Sequence, residues 1–276
     1  MHNSTLGHDT GLLAGKVGLV AGLANDQSIA FGCAEVMHAA GAELVCTYGH
    51  PKSERFITPH ADRLGHSPLV LLDVCDAAQM DAVFELVAER FGRLDFLVHS
   101  IAFARVPDLH GRLTDSSLEA FNEAMDISCH SFVRMARRAE PLMQAGGTLI
   151  TMSYLGAQRA VRDYALMGPV KAALESSVRY LARELGPTGI RVHAISPGPI
   201  PTRAGSGLKG FDALIAHAAQ SAALGRGVTV SEVGALAAFL SSDGAAGMTG
   251  ATHFVDAGHF MMDGLPPDTD AHAVDP

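Results

Sequence analysis

Three side chains between Ser153 and Lys171, in SYLGAQRAVRDYALMGPVK, have the types and spacing to do chemistry together. Tyr154 and Tyr164 stand ten residues apart, and Lys171 follows seven after the second, in a chain with only four tyrosines. Seven residues is close to two helical turns, so on a continuous helix a phenol and an ammonium share a face about 10 Å apart along the axis. The phenol is then placed to donate to a substrate carbonyl while the ammonium reaches the ribose of a bound cofactor. An ammonium nearby also favours the phenolate and lowers a phenol pKa from about 10 toward the working range. Gly168-Pro169 between the two predicts an irregular first turn. Tyr154 falls at the end of an apolar run and can face the same cleft. The plainer alternative makes Tyr164 a half-buried aromatic and Lys171 a solvated surface charge. Tyr48 and Lys52 form a second tyrosine–lysine pair, but Pro51 lies between them at the exit of a strand, so they do not read as a helix-borne pair.

The elements that must position these groups are visible as apolar runs at 16–22, 42–48, 68–74, 94–100, 147–153, 190–196 and 252–258. Most are nearly continuous in Val, Ile and Leu, as strands covered on both faces by helices are. Helical patterns lie between them, among them SIAFGCAEVMHAAG, AQMDAVFELVAERFG and VKAALESSVRYLARELG, each closed by a glycine where a helix C-cap needs one. The alternation predicts an α/β chain with a doubly wound, seven-stranded parallel sheet and helices on both faces. No linker or internal repeat divides it, so residues 1–276 are expected to form one domain, with a core over about 12–262 and the Pro- and Asp-rich 263–276 as a frayed tail.

Ligands of open α/β sheets sit at the carboxyl ends of the strands, and several of those ends carry suitable residues. The first strand runs into Gly22-Leu-Ala-Asn-Asp-Gln-Ser28-Ile29-Ala30, a small-residue turn whose backbone N–H groups and helix dipole suit a pyrophosphate. Asp73 closes the third run, where its carboxylate can accept from an adenine amino group or cap a turn. Ser100-Ile101-Ala102 closes the fourth, where a ribose or nicotinamide would pass. The stiff turn from Ser196 through Gly198-Pro199-Ile200-Pro201 to Thr202 is able to pack against a nicotinamide ring, or is a structural Pro/Gly loop.

Composition excludes other classes. A net charge of −9 argues against a broad nucleic-acid surface. The 48% hydrophobic content suits a filled globular core rather than disorder. Cys33, Cys46, Cys75 and Cys129 form no C-x-x-C pair and read as buried free thiols. The 14 histidines show no metal-ligand spacing, so no metal is expected. MHNSTLGHDTG does not have the layout of a signal peptide, and no apolar run approaches the roughly 20 residues that span a bilayer. A soluble, cytoplasmic protein with no membrane partner is expected.

The combination of Gly22-x5-Ser28-x-Ala30, His99-Ser100-Ile101, Ser153-Tyr154-Leu155-Gly156, Tyr164-x6-Lys171 and Gly198-Pro199-Ile200 resembles the bacterial enoyl-acyl-carrier-protein reductases. These are a divergent branch of the short-chain dehydrogenase/reductase superfamily, and the resemblance runs from about Leu12 to Phe260. It implies a homotetrameric Rossmann enzyme of type II fatty-acid synthesis that uses NADH or NADPH to reduce the trans-2 double bond of an acyl thioester. By that likeness Tyr154, Tyr164 and Lys171 are the catalytic residues, with Tyr164 hydrogen-bonding the enolate and Lys171 holding the ribose. The matching cofactor positions are Gly22, Ser28, Ile29, Asp73, Val74, Ser100, Ile101, Lys171 and the run Ile200, Pro201, Thr202, Arg203, Ala204, while Ala104 matches a substrate contact.

The chain departs from the resembled pattern in two places. After the second strand, where relatives often carry a Gln or a basic residue at the adenosine end, it has Gly49-His50-Pro51-Lys52-Ser53. Gly49 brings no side chain to an adenosine, whereas Lys52 or Arg55 can meet a 2′-phosphate, so NADPH stands beside NADH. Near the presumed portal Lys209 is kept, but Asp212 and Ala213 replace basic positions on which carrier-protein docking draws, so a CoA thioester is the alternative carrier. The Gly-rich 200–215 reads as a substrate lid or a plain loop. Two rival functions are a carbonyl reductase or alcohol dehydrogenase of the same superfamily, and a catalytically silent dinucleotide-binding regulator. The Tyr-x6-Lys spacing speaks against the first, and the retained Tyr154, Tyr164 and Lys171 against the second.

Overall fold

The structure, a computed structural model, describes residues 11–202 and 210–262. Among them lie seven strands: Val17–Leu23 (β1), Glu43–Tyr48 (β2), Leu69–Leu71 (β3), Phe96–His99 (β4), Gly147–Met152 (β5), Ile190–Pro197 (β6) and Thr252–Val255 (β7). All pair in parallel, in the order β3-β2-β1-β4-β5-β6-β7. The chain therefore works outward from β1 to one edge, returns to β4 beside β1, and works outward to the other edge. The reversal between β1 and β4 opens a crevice above their carboxyl ends.

Successive residues of each strand point to opposite faces, and both faces are covered. Leu19, Leu97, Leu149 and Val192 pack under helices Ala77–Phe91 (α3), Ser131–Ala139 (α6) and Met167–Leu185 (α7). Their neighbours Val20, Val98, Ile150 and Ile195 pack under Ile29–Ala39 (α1) and Val230–Ser241 (α9). This two-sided burial is why the strand runs are apolar throughout rather than alternating. The remaining helices are Pro51–Ile57 (α2), Val106–His110 (α4), Leu118–Met125 (α5) and Phe211–Ser221 (α8).

Three expectations change in detail. The third strand ends at Leu71, so Asp73 and Val74 lie beyond it rather than on it. Gly92 does take the left-handed conformation after α3, but Gly186 has φ −55 and extends α7 into a short 3-10 turn, leaving that role to Gly189 at φ 79. Cys33, Cys46 and Cys129 are buried as expected, whereas Cys75 is exposed in the loop after β3. The tail 263–276 lies outside the described residues. No described helix is long and apolar enough to cross a membrane.

Candidate active site

A cavity of about 650 Å³ lies over the carboxyl ends of the strands, on both sides of the β1/β4 crevice. Its first contributor is Gly22, which has φ +105 at a register shift in β1. A Cβ there would overlap the Ser100 carbonyl at the end of β4, so only glycine allows the two strand ends to approach. Leu23, Ala24 and Ile29 continue that wall. Ser28 does not line it. Its Oγ accepts from Phe31 N at 3.3 Å as the N-cap of α1 and donates to Asn25 O at 2.7 Å, so it shapes the turn that the cavity rests on.

Asp73, Val74, Ser100, Ile101 and Ala104 all line the cavity. The Asp73 carboxylate accepts from Cys75 N at 2.9 Å, so it makes a local turn and still stands on the wall. Next to it, the wall at the end of β2 consists of Thr47, Gly49, His50 and Ser53. Lys52 and Arg55 are exposed on α2 and do not line it; Arg55 stacks over the Phe56 ring instead, 4.6 Å from its centroid. Tyr48 is buried on β2, so Tyr48 and Lys52 share no helix. Ile200 and Thr202 reach the wall, Pro201 is exposed and does not, and Arg203, Ala204 and Lys209 lie outside the described residues. Residues 211–215 of the expected lid belong to helix α8, from which Phe211 lines the cavity.

At the other end Tyr154, Tyr164 and Lys171 meet on the same wall. Tyr154 follows β5 in extended backbone, φ −159 and ψ 155, and opens the turn Leu155–Ala157. Its ring meets that of Tyr164 edge to face, with centroids 4.9 Å apart. Gly156 makes room for this: a Cβ on it would overlap the Tyr164 ring. Tyr164 is not on the helix that carries Lys171. It precedes α7, after Asp163 with φ 57, and its carbonyl accepts from Gly168 N at 2.9 Å. Gly168-Pro169 thus starts the helix rather than interrupting it. The two side chains converge through a turn, not through a shared helical face.

Burial decides the electrostatics. Lys171 is 4% exposed, and its Nζ donates to Met152 O on β5 at 2.7 Å. Burial pulls its ammonium down to about 8, against the opposing pull of Cys129 and Glu175. The Tyr164 phenol is pushed well above its ordinary range by burial, with Tyr154 adding to the shift, and Tyr154 is pushed up to about 12 by burial. The expected lowering of the phenol by the ammonium is overturned, because desolvation of the phenolate outweighs a cation whose hydrogen bond goes to Met152. Both tyrosines are therefore neutral hydrogen-bond donors at neutral pH.

Two further groups fix this end. His99 is fully buried between Thr151 Oγ1 at 3.0 Å and Ser131 Oγ at 2.8 Å, and burial followed by Lys171 holds it neutral, down at about 3. Glu175, one turn after Lys171 on α7, accepts from Ser153 Oγ at 2.6 Å and from Gln158 Nε2 at 2.9 Å. Neither Glu175 nor Gln158 was singled out by sequence; the four-residue step from Lys171 was the available signal.

The wall suits an extended dinucleotide: backbone and small side chains at the β1 and β4 ends, and a buried ammonium at one end. Among the described residues that ammonium has one hydrogen-bond acceptor for three N–H donors, an incomplete set that ribose hydroxyls would fill. Beyond the tyrosines the wall turns apolar, with Phe103, Val106, Leu109, Met167 and Phe211. No group of His, Cys, Asp or Glu among the described residues could hold a metal ion.

Known proteins share this sequence and fold. A reductase in Synechocystis sp., named enoyl-[acyl-carrier-protein] reductase [NADH], is 47% identical over 254 residues, covering 91% of this chain and 98% of that protein. The crystal structure of the corresponding reductase of Anaplasma phagocytophilum, in complex with NAD, superposes with a TM-score of 0.88 at 43% identity, covering 92% of this chain and 97% of that one. That of Bacillus cereus, with NADP+ and indole naphthyridinone, gives 0.89 at 41% identity, covering 91% and 99%. The family model described as enoyl-(acyl carrier protein) reductase matches residues 22–259, and the chain belongs to that family.

Proposed function

We propose that this protein reduces the trans-2 double bond of an enoyl thioester on acyl carrier protein, with NADH as reductant, in type II fatty-acid synthesis. The observation that carries the reading is the convergence of Tyr154, Tyr164 and Lys171 on one wall of a cavity whose far end is Gly22, Asp73 and the β2 exit. Gly22, Leu23, Ala24, Ile29, Ser100 and Ile101 would hold the middle of the dinucleotide, and Asp73 its adenine. NADH is favoured over NADPH because the wall at the end of β2, among the described residues, carries no Lys or Arg to meet a 2′-phosphate. The first relatives are themselves named for NADH.

Bound NADH supplies the hydride that adds to the β-carbon of the enoyl group. Tyr164, kept neutral by burial, donates a hydrogen bond to the thioester oxygen, where the electron pair of the double bond arrives as an enolate. A donor whose own proton is hard to remove suits this role, since it stabilises charge without giving up the proton; the enolate then takes a proton from solvent at its α-carbon, which completes the saturated thioester. Lys171 hydrogen-bonds the ribose hydroxyls and sets the nicotinamide beside the tyrosines. Tyr154, edge to face against Tyr164, restricts the ring to one orientation. The apolar wall of Phe103, Ala104, Val106 and Phe211 shelters the acyl chain and excludes water.

The reading includes a homotetramer, as in the resembled enzymes; exposed Leu118 on α5 and Tyr180 on α7 support a subunit contact there. Loss of NADH absorbance with crotonyl-CoA, with crotonyl carrier protein and with acetoacetyl-CoA tests the chemistry and the carrier together. Oxidation with both crotonyl thioesters and not with acetoacetyl-CoA is expected. Turnover of acetoacetyl-CoA alone would make the protein a carbonyl reductase, and cofactor binding without any turnover would make it a sensor.

A further inference from the structure

The carboxylate of Glu175 is a buried anion to which the chemistry above gives no task. It is 6% exposed, it points from α7 toward β5, and each of its oxygens takes one hydrogen bond from a neutral donor. Burying a carboxylate is costly unless a cation or a full set of donors compensates, and two neutral donors fill only part of its acceptor capacity. The charge therefore needs its own explanation.

The two donors are Ser153 and Gln158, which bracket Tyr154, Leu155, Gly156 and Ala157. Glu175 thus closes the strap that carries Tyr154 and, through Gly156, seats the Tyr164 ring. One turn back on the same helix is Lys171, equally buried. Around that ammonium stand Cys129 from the segment before α6, His99 from β4, Tyr154 from the strap, Tyr164 from the turn before α7, and Glu175. Burial raises the Cys129 thiol and both phenols and depresses His99, so all four are neutral near pH 7. Glu175 is the anion left to balance Lys171.

We propose that Glu175 is a positioning residue of this site, its buried carboxylate clasping both ends of the Tyr154 strap and, one helical turn from Lys171, partly offsetting the cost of burying that ammonium. The inference deepens the reading of the site as a reductase and rests on it for what strap and ammonium do. A single side chain then ties the strap on which the Tyr164 ring rests to the helix turn that carries the donor to the ribose.

The titration of the Lys171 ε-carbon, followed by NMR in lysine-labelled protein without cofactor and identified with Lys171→Arg, tests the electrostatic half independently of catalysis. In wild type the midpoint should lie near pH 8. Glu175→Gln should move it lower by about one pH unit, the effect of removing a close opposite charge. Glu175→Asp keeps the charge but is too short to reach both donors; it should return the midpoint toward wild type and lower kcat about tenfold, with the NADH Kd changing less than twofold. The pair Ser153→Ala and Gln158→Ala, which leaves both buried charges in place, should lower kcat to a similar extent.

An unmoved midpoint in Glu175→Gln would overturn the electrostatic role, and wild-type kcat in the double variant would overturn the clasp. If Glu175→Gln does not fold, as judged by its melting transition, Glu175→Asp and the double variant decide by kcat. A wild type that binds NADH and leaves enoyl thioesters untouched would sink the reductase reading itself, with the lysine titration still readable.

Discussion

The two ends of the cavity are built on opposite principles. The end with Tyr164, Lys171, Glu175 and His99 is dense in buried and half-buried polar groups, all but Tyr164 carried by a strand or helix, and burial shifts the phenols, the ammonium and the imidazole from their ordinary pKa values. The end with Thr47, Gly49, His50, Ser53 and Asp73 is small-residued and mostly near solvent. There His50 and Asp73 satisfy their own neighbours' backbone, His50 accepting from Lys52 N at 3.0 Å and Asp73 from Cys75 N at 2.9 Å. Chemistry is concentrated where desolvation makes each charge count, and recognition is left to shape where water would screen a charge.

The largest effect expected from this contrast is at Tyr164. Tyr164→Phe should lower kcat by about 10²–10³, the usual cost of removing a donor aimed at developing charge, and change the NADH Kd less than twofold. Steady-state rates alongside fluorescence titration separate the two. Lys171→Ala should act the other way round, weakening NADH at least about tenfold. In wild type NADH affinity should fall as pH rises through about 8, because the ammonium loses its proton there, and that pH dependence should vanish in Lys171→Ala. If binding and turnover both survived Lys171→Ala, the ribose role would be wrong and the contrast between the ends with it.

Gly156→Ala probes the same end through packing alone. The added methyl must displace the Tyr164 ring, so about 1–3 kcal/mol of stability should be lost together with much of kcat. Thermal melting and kcat should fall in the same variant. A methyl that left kcat intact would mean that the ring has freedom the geometry denies it.

How much of this was legible in the sequence follows from the same division. The strands were, because a sheet covered on both faces writes itself as unbroken Val, Ile and Leu. So was the trio Tyr154, Tyr164 and Lys171, because tyrosine is rare in this chain and the spacing of such groups carries information. The turn joining Tyr164 to Lys171 was not, since Gly168-Pro169 predicts irregularity without saying that α7 begins only at Met167. The direction of the phenol shift was read with the wrong sign, because a neighbouring cation can be counted in a sequence and burial cannot. Ser28 illustrates the same gap: a serine before a helix can cap it or face a phosphate, and only the fold shows its Oγ on Phe31 N. Glu175 was passed over because a carboxylate four residues after a lysine usually belongs to an exposed helix pair.

At the other end the effects should be smaller and confined to binding. Asp73→Ala removes one acceptor for an adenine amino group, so NADH should weaken by about three- to tenfold, the worth of one hydrogen bond, with kcat unchanged. A drop in kcat instead would show that the Asp73 turn, through Cys75 N, supports more of the site than its own end.

The smallest effect is the most discriminating. Lys52 and Arg55 were candidate partners of a 2′-phosphate, yet both are exposed on α2 and neither lines the cavity. Salt and water screen an exposed charge, and Arg55 is already stacked on Phe56. Lys52→Ala and Arg55→Ala should therefore each leave kcat/KM with NADH within about twofold, because nothing near the reduced ring has moved. The informative number is the ratio of NADH to NADPH. If either substitution raised that ratio about tenfold by selectively weakening NADPH, the exposed helix would be reading the phosphate after all. Charge would then matter at the open end as it does at the buried one. A ratio unchanged in both variants would leave the discrimination to the shape of the wall at Gly49, His50 and Ser53.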